Sequence, residues 1–415
     1  MLPNIDLNIY KYDLPSERIA MFPKENRDEC KLLKVNRETG TISHHKFSEI
    51  PHLLPLNSEM FINTSKVISA RIPAQKSTSG KAEIFMVEPL TPFPEYNLAL
   101  SVRTVSTWKC IIGGKNIKAG DILYAEAPVA DRKFEFKILT KEDNNATVEF
   151  DLTNYNMSVA DFLEHFGKIP LPPYIKREVT DNDKITYQTV YANALGSVAA
   201  PTAGLHFTKK MLKKLLASGI AINELVLHVG LGTFKPIATD DINQHDMHSE
   251  RIIINKSTLE HLIICLELNK NIVSVGTTTT RTLESIYWLG VRLIENPDLE
   301  IDFTSHVVMP DEPYKTREDV SPIDSIKAVN EYFDRHEIVT LVAYTKLFIV
   351  PGYRYRLVNI LITNFHQPES TLILLVAAFL GTELWKQAYN AALADPDYRF
   401  LSYGDACLFF NNIKG

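Results

Sequence analysis

Cysteine is scarce in this chain. The four that occur in 415 residues, Cys30, Cys110, Cys265 and Cys407, form no CxxC pair and no Cys/His ligand spacing. That scatter excludes a disulfide framework and a structural zinc site, and makes a reducing cytoplasm the expected location. Long apolar runs are lacking too. Residues 1–23 are charged throughout, and no later segment approaches the ~18 uninterrupted apolar residues of a membrane span, so neither export nor membrane insertion is expected. Nor is there an excess of positive charge. A formal net charge of −6 argues against a broad basic face for nucleic acid and leaves room only for local basic patches. GxxxxGK[ST] is missing, which argues against a Walker-type nucleotide site, and HExxH is missing, which argues against a metal.

What remains is a chain that is 45% hydrophobic, long enough for two domains or for one large domain carrying an insertion. Its organising stretch is 187–208, YQTVYANALGSVAAPTAGLHFT. Pro201 and Gly204 hold off a helix until Thr208, which can cap the run KKMLKKLLASG that ends at Gly219. A helix start of this kind attracts anions, although an ordinary strand-to-helix turn has the same pattern.

The rest of the chain predicts an α/β fold: a larger mixed α/β domain with an inserted small antiparallel β-barrel domain. Residues 73–150 change to short β-rich runs, among them AEIFMVEP, WKCIIGG and KFEFKIL, separated by Gly, Pro, Asp and Asn. Residues 1–72 and 151–415 supply the α/β part, in which AINELVLHV, NIVSVG and YRLVNILIT each lead through a Gly/Thr/Asn turn, the last two into helical patterns. Residues 297–340 break this rhythm with ENPDLEIDF and MPDEPYKTREDVSP, and read as a surface insertion, a flap or subdomain.

In open α/β sheets ligands gather at the carboxyl ends of strands, so four loops belong together: His206 with Thr208, 230–234, 276–281 and 364–371. Thr277, Thr278, Thr279, Thr280 and Arg281 offer hydroxyls, backbone N–H groups and a guanidinium to a carboxylate or phosphate; a plain polar helix start fits equally well. His206, His228 and His366 each stand where an apolar strand meets a turn, positions suited to proton transfer or, just as well, to structural hydrogen bonding. Phe207, Phe234, Phe365 and Tyr403 could face a nucleobase or close the core. Asp405 and Glu284 are the carboxylates nearest these loops in sequence.

At this point the residues resemble a known family. YQTVYA, GSVAAPTAGLHFT, HVGLGTFKPI with MHSE, VGTTTTRTLES, PGYRY, LITNFHQPESTLILLVAAFLG and YRFLSYGDA, with YDLPSERIAMFP near the start, together look like the S-adenosylmethionine:tRNA ribosyltransferase-isomerases of queuosine biosynthesis. The resemblance is weak in the β-rich region, and 297–340 looks inserted relative to the family. It implies an enzyme that moves and isomerises the ribosyl part of S-adenosylmethionine onto 7-aminomethyl-7-deazaguanine in the tRNA anticodon loop, releasing adenine and methionine and giving epoxyqueuosine. S-adenosylmethionine is then a co-substrate, with no cofactor and no metal, and the enzyme is expected to act as a monomer without membrane contact.

Carried onto this chain, the resemblance assigns proton handling to His206 and His366, with His228 in reserve. Phe207, Thr208, Phe234, the Thr277 to Arg281 run and Asn364 would bind substrate. Lys209, Lys210, Arg354 and Arg356 would contact tRNA phosphates. The chain departs from the family at Asn63, Thr64, Ser65, Lys66 and Val67, where an NDTRV-like motif is usual, and at Gln367, where FHLP is common. The alternatives are a paralogue on the same scaffold acting on a free nucleoside or another RNA, and a non-catalytic tRNA-binding protein.

Overall fold

The structure, a computed structural model, describes residues 2–414 apart from 126–132, 229, 231–236, 238, 240, 303 and 317. The chain opens with a hairpin, β1 (Lys31–Asn36) and β2 (Ile42–Lys46), turned at Gly40 with φ +68°. After α1 (Ile50–Leu53) comes β3 (Ser58–Asn63), buried at every position as a strand covered on both faces must be, and then β4 (Ser65–Val67).

The β-rich region closes on itself. Strands β5 (Arg71–Lys76), β6 (Lys81–Thr91), β7 (Val105–Gly113), β8 (Ile122–Ala125), β9 (Glu135–Glu142) and β10 (Asn145–Asp151) form an antiparallel barrel in the order β10-β7-β6-β5-β8-β9. Alternation does this: along β7, Ser106, Trp108, Cys110 and Ile112 point inward while their neighbours face out. Helix α2 (Tyr96–Ser101) sits between β6 and β7, and α3 (Val159–Phe166) adds Phe162 to the barrel's Phe134, Phe136 and Phe150. Ser158 caps α3 by accepting the Asp161 N–H at 3.1 Å, and Asp161 accepts the Ser158 N–H at 2.8 Å. Arg71 and Lys168 exchange both backbone hydrogen bonds, so the chain enters and leaves the barrel side by side.

The remainder builds the larger body: α4 (Asp183–Thr186), β11 (Ala194–Ser197), α5 (Lys209–Ala217), β12 (Ala221–His228), β13 (Glu250–Asn255), α6 (Lys256–Glu267), β14 (Asn271–Val275), α7 (Thr277–Glu295), β15 (His306–Val308), α8 (Pro322–Arg335), β16 (Thr340–Thr345), β17 (Ile360–Asn364), α9 (Thr371–Leu380), α10 (Thr382–Ala394) and β18 (Ala406–Phe410). One ten-stranded sheet runs β15-β16-β13-β12-β3-β14-β17-β18-β1-β2, while β11 pairs with β4 alone. Its middle, β12-β3-β14-β17, is parallel; antiparallel pairs flank it. Successive residues serve opposite faces: Phe61, Ile272 and Leu361 join the core under α6, α7 and α9, whereas Met60, Val273 and Ile360 join Met211 and Leu215 of α5.

Residues 297–340 contribute an edge strand, β15, and a helix, α8, whose Ile326, Val329 and Phe333 are buried in the main core. Helices α7 and α8 meet at Gly290, where a Cβ would lie 2.0 Å from the Ser325 carbonyl oxygen. Among the described residues no single helix is long and apolar enough to cross a membrane, and α9 and α10 break by 111° at their junction.

Candidate active site

Three chain segments meet at the carboxyl end of the parallel strands. Gly276, with φ +91°, turns the chain off β14 straight into α7, and its N–H donates to the Ile362 carbonyl of neighbouring β17 at 2.7 Å. β17 ends in Asn364 and leads through 365–370 to α9, capped by Ser370. Residues 200–203, between β11 and α5, close the third side. The cleft so formed opens to solvent and is narrow, with about 50 Å3 of accessible space. The starts of both α7 and α9 border it, giving it two sources of unpaired N–H groups and positive dipole.

The threonine run divides its labour. Thr277 and Thr278 line the cleft. Thr279 turns back to donate to the Val275 carbonyl at 2.7 Å, and Thr280 meets the Ser274 hydroxyl at 2.8 Å. Arg281, one turn on, is buried with its guanidinium against Glu250 and the Leu347 carbonyl, so its charge is matched inside the protein.

The histidines also separate. His366 lines the cleft, its Nε2 sharing a hydrogen bond with the Thr363 hydroxyl at 2.9 Å, while its backbone carbonyl and N–H are held by Tyr12 and Tyr389. His206 lies beside it across Asn364, whose amide Nδ2 donates to His206 Nε2 at 2.8 Å and to the Leu401 carbonyl at 3.3 Å. Since Nε2 accepts, Nδ1 carries the proton and faces Cys30 Sγ at 3.2 Å. The amide oxygen of Asn364 is buried without a partner. His228 stands apart, against Tyr96 of α2 with ring centroids 4.7 Å apart, where the barrel meets the sheet. Burial pushes all three imidazoles down to about 3; at His206 the positive charges of Arg399, Arg27 and Lys24 add to it, and at His228 that of Arg251 does. All three are therefore neutral near pH 7.

Profiles of known families supply the remaining comparison. That of the queuosine biosynthesis proteins matches residues 7–409. The chain belongs to this family. It is similar over 403 residues, 36% identical, to the S-adenosylmethionine:tRNA ribosyltransferase-isomerase of Sulfurihydrogenibium sp., covering 97% of this chain and 99% of the relative. The enzyme of the same name from Francisella philomiragia is 35% identical, covering 97% and 98%. A crystal structure of S-adenosylmethionine tRNA ribosyltransferase from Thermotoga maritima is 27% identical and covers 97% of this chain and 100% of its own, with a TM-score of 0.46.

In this queuosine biosynthesis protein, Phe207 is fully buried edge-on to Phe47, beneath α5 rather than in the cleft, and Phe234 lies outside the described residues. Thr208 caps α5, accepting the Met211 N–H at 3.2 Å and donating to Asp28 at 3.2 Å. Lys209 and Lys210 are exposed beside Lys213 and Lys214, with no ion pair among the described residues. Arg354 and Arg356 both pair with Asp319, and Arg356 also lies over the rings of Tyr287 and Trp288. The two carboxylates are saturated: Glu284 takes the Tyr353 hydroxyl and the N–H groups of Arg356, Leu357 and Val358, and Asp405 those of Lys31 and Arg399. Thr64, in the departing segment, bonds the Leu225 carbonyl of β12 and is not part of the cleft wall. Sequence reasoning missed Tyr174 and Ser402, joined by a 2.5 Å hydroxyl bond on the cleft wall; the PLPPY bend and the SYGD turn were the available signals. Among the described residues no group of three or more His, Cys, Asp or Glu is placed to hold a metal.

Proposed function

We propose that this protein is an S-adenosylmethionine:tRNA ribosyltransferase-isomerase, acting in the cytoplasm as a monomer. It transfers the ribosyl part of S-adenosylmethionine onto 7-aminomethyl-7-deazaguanine in the tRNA anticodon loop and isomerises it, with release of adenine and methionine. The observation that carries this reading is the nearly end-to-end likeness to enzymes of that name, and the cleft supplies what the chemistry needs. The methionine carboxylate is met by the start of α7 with Thr277 and Thr278, while Thr279, Thr280 and Arg281 hold that start from behind.

The reaction also needs a proton removed beside the sulfonium, where the positive sulfur acidifies the methylene, and a donor to the departing adenine. His206 and His366 are assigned these steps; both are neutral, His366 lines the cleft, and His206, behind Asn364, must exchange that amide at Nε2 before it accepts a proton. Burial makes both weak bases before substrate binds. His228, packed on Tyr96 outside the cleft wall, drops out of this role. Lys209 and Lys210 are free to meet phosphates, whereas Arg354 and Arg356 must first exchange Asp319 for one.

Incubation with labelled S-adenosylmethionine tests the reading. Adenine release only in the presence of precursor tRNA is expected. Release with the free nucleoside, or tRNA binding without any release, would reject it.

A further inference from the structure

His206 borders a second, shallow hollow that opens to solvent, with about 20 Å3 of accessible space, walled by Lys24, Arg27, Arg399 and Tyr403. Three cations face it, and they spend their donors on neutral groups. Arg27 donates to the carbonyls of Gln188 and Ile185 at 2.7 and 2.8 Å, Arg399 to those of Phe22 and Tyr403 at 3.2 Å each, and Lys24 to that of Glu29 at 3.3 Å. The Arg399 Nε is buried with no partner. The nearby carboxylates cancel only part of this charge. Asp405 lies 3.9 Å from Lys24 and already accepts two backbone N–H groups at 2.7 Å; Asp28 is turned to Thr208, and Asp183 is held by Arg177. Burial chiefly, and these same three cations in addition, hold the His206 imidazole on the hollow's wall below its usual range.

Concentrating three incompletely matched cations in a concavity is costly in any protein, and this chain is acidic overall. An oxyanion relieves that cost. The hollow also adjoins the lysine face of α5, because the Thr208 to Asp28 bond ties the turn carrying Arg27 to the first turn of that helix. The cleft has its own anion receptor in the start of α7. Resting on the function proposed above, we infer that this second hollow seats a backbone phosphate of the RNA next to the nucleotide being modified, with Lys24, Arg27 and Arg399 as its contacts. A strand crossing Lys209 and Lys210 then delivers a phosphate here while its base reaches Asn364.

Lys24→Gln is the cleanest test, since Lys24 makes only one long hydrogen bond and a 3.9 Å ion pair to Asp405, which keeps its two backbone N–H donors. Binding of precursor tRNA is measured against salt, together with KM for both substrates. The expected result is a loss of tRNA affinity of about three- to tenfold and a fall of about 0.7 to 1 in the slope of log K against log salt, with KM for S-adenosylmethionine unchanged. Arg27→Lys, which keeps the charge, should retain more of the slope than Arg27→Gln. A rise in KM for S-adenosylmethionine at unchanged salt slope would assign the hollow to the methionine carboxylate and overturn the inference, as would no change in either quantity. Failure of the unaltered protein to release adenine would instead strike the function on which the inference rests.

Discussion

Lowering the pH from about 7 to about 5.5 should destabilise this protein through three histidines that fold uncharged. His206, His228 and His366 are all displaced from the ordinary value of 6.5 to about 3, in each case chiefly by burial. The unfolded chain therefore binds more protons between those limits, stability rises with pH across the window, and it is lost as the pH falls below about 6.5. At pH ~5.5 an unfolded histidine is about ten parts protonated to one neutral, while the folded one is still neutral; relative to pH ~7 this removes about 1.2 kcal/mol per residue, or about 4 kcal/mol for the three. That is a large share of the ~5–15 kcal/mol of a typical fold. Asp405 and Glu284, raised by burial, work in the opposite direction, so the decisive quantity is a difference between variants. Urea titrations at both pH values on the unaltered protein and on His228→Gln should show the variant losing about 1.2 kcal/mol less stability between them, whatever its stability at pH ~7. Equal pH dependence in the two proteins would refute the placement of His228 as a neutral group between barrel and sheet.

Three further outcomes follow from particular contacts. Gly290→Ala should lower stability by about 1–3 kcal/mol or more, read as a fall in thermal midpoint, because the added methyl meets the Ser325 carbonyl and must push α8 off α7; an unchanged midpoint contradicts that packing. Thr277→Val and Thr278→Val should each raise KM for S-adenosylmethionine about fivefold, the worth of about one hydrogen bond, with KM for tRNA unmoved, and the reverse pattern would remove them from the co-substrate site. His206→Ala and His366→Ala should slow single-turnover adenine release by about 10²–10⁴-fold, and release at the original rate would reject their part in proton handling.

The sequence was most readable where local chemistry decides the structure. Thr208 and Ser158 cap helices because a hydroxyl before a helical run has few better partners, and the alternation along β7 or the apolar run Ile360 to Ile362 that opens β17 follows from whether one or both faces are covered. Legibility failed where a partner comes from far along the chain. Nothing near Arg281 announces Glu250, 31 residues earlier, and nothing near Arg354 and Arg356 announces Asp319 across the fold. His228 ends a strand as the region before His366 does, yet β3 and β14 lie between β12 and β17, and α2 of the barrel covers the spot. The second basic hollow was equally hidden, since Lys24, Arg27 and Arg399 come from opposite ends of the sequence.

The position of β18 bears on when this molecule becomes active during its manufacture. The strand lies between β17 and β1, and the turn just before it supplies Leu401 and Ser402 to the cleft wall. A nascent polypeptide that still lacks these residues has a seven-stranded slab and a detached amino-terminal hairpin, with one side of its binding site missing. The cleft wall is therefore complete only once β18 has docked between β17 and the hairpin.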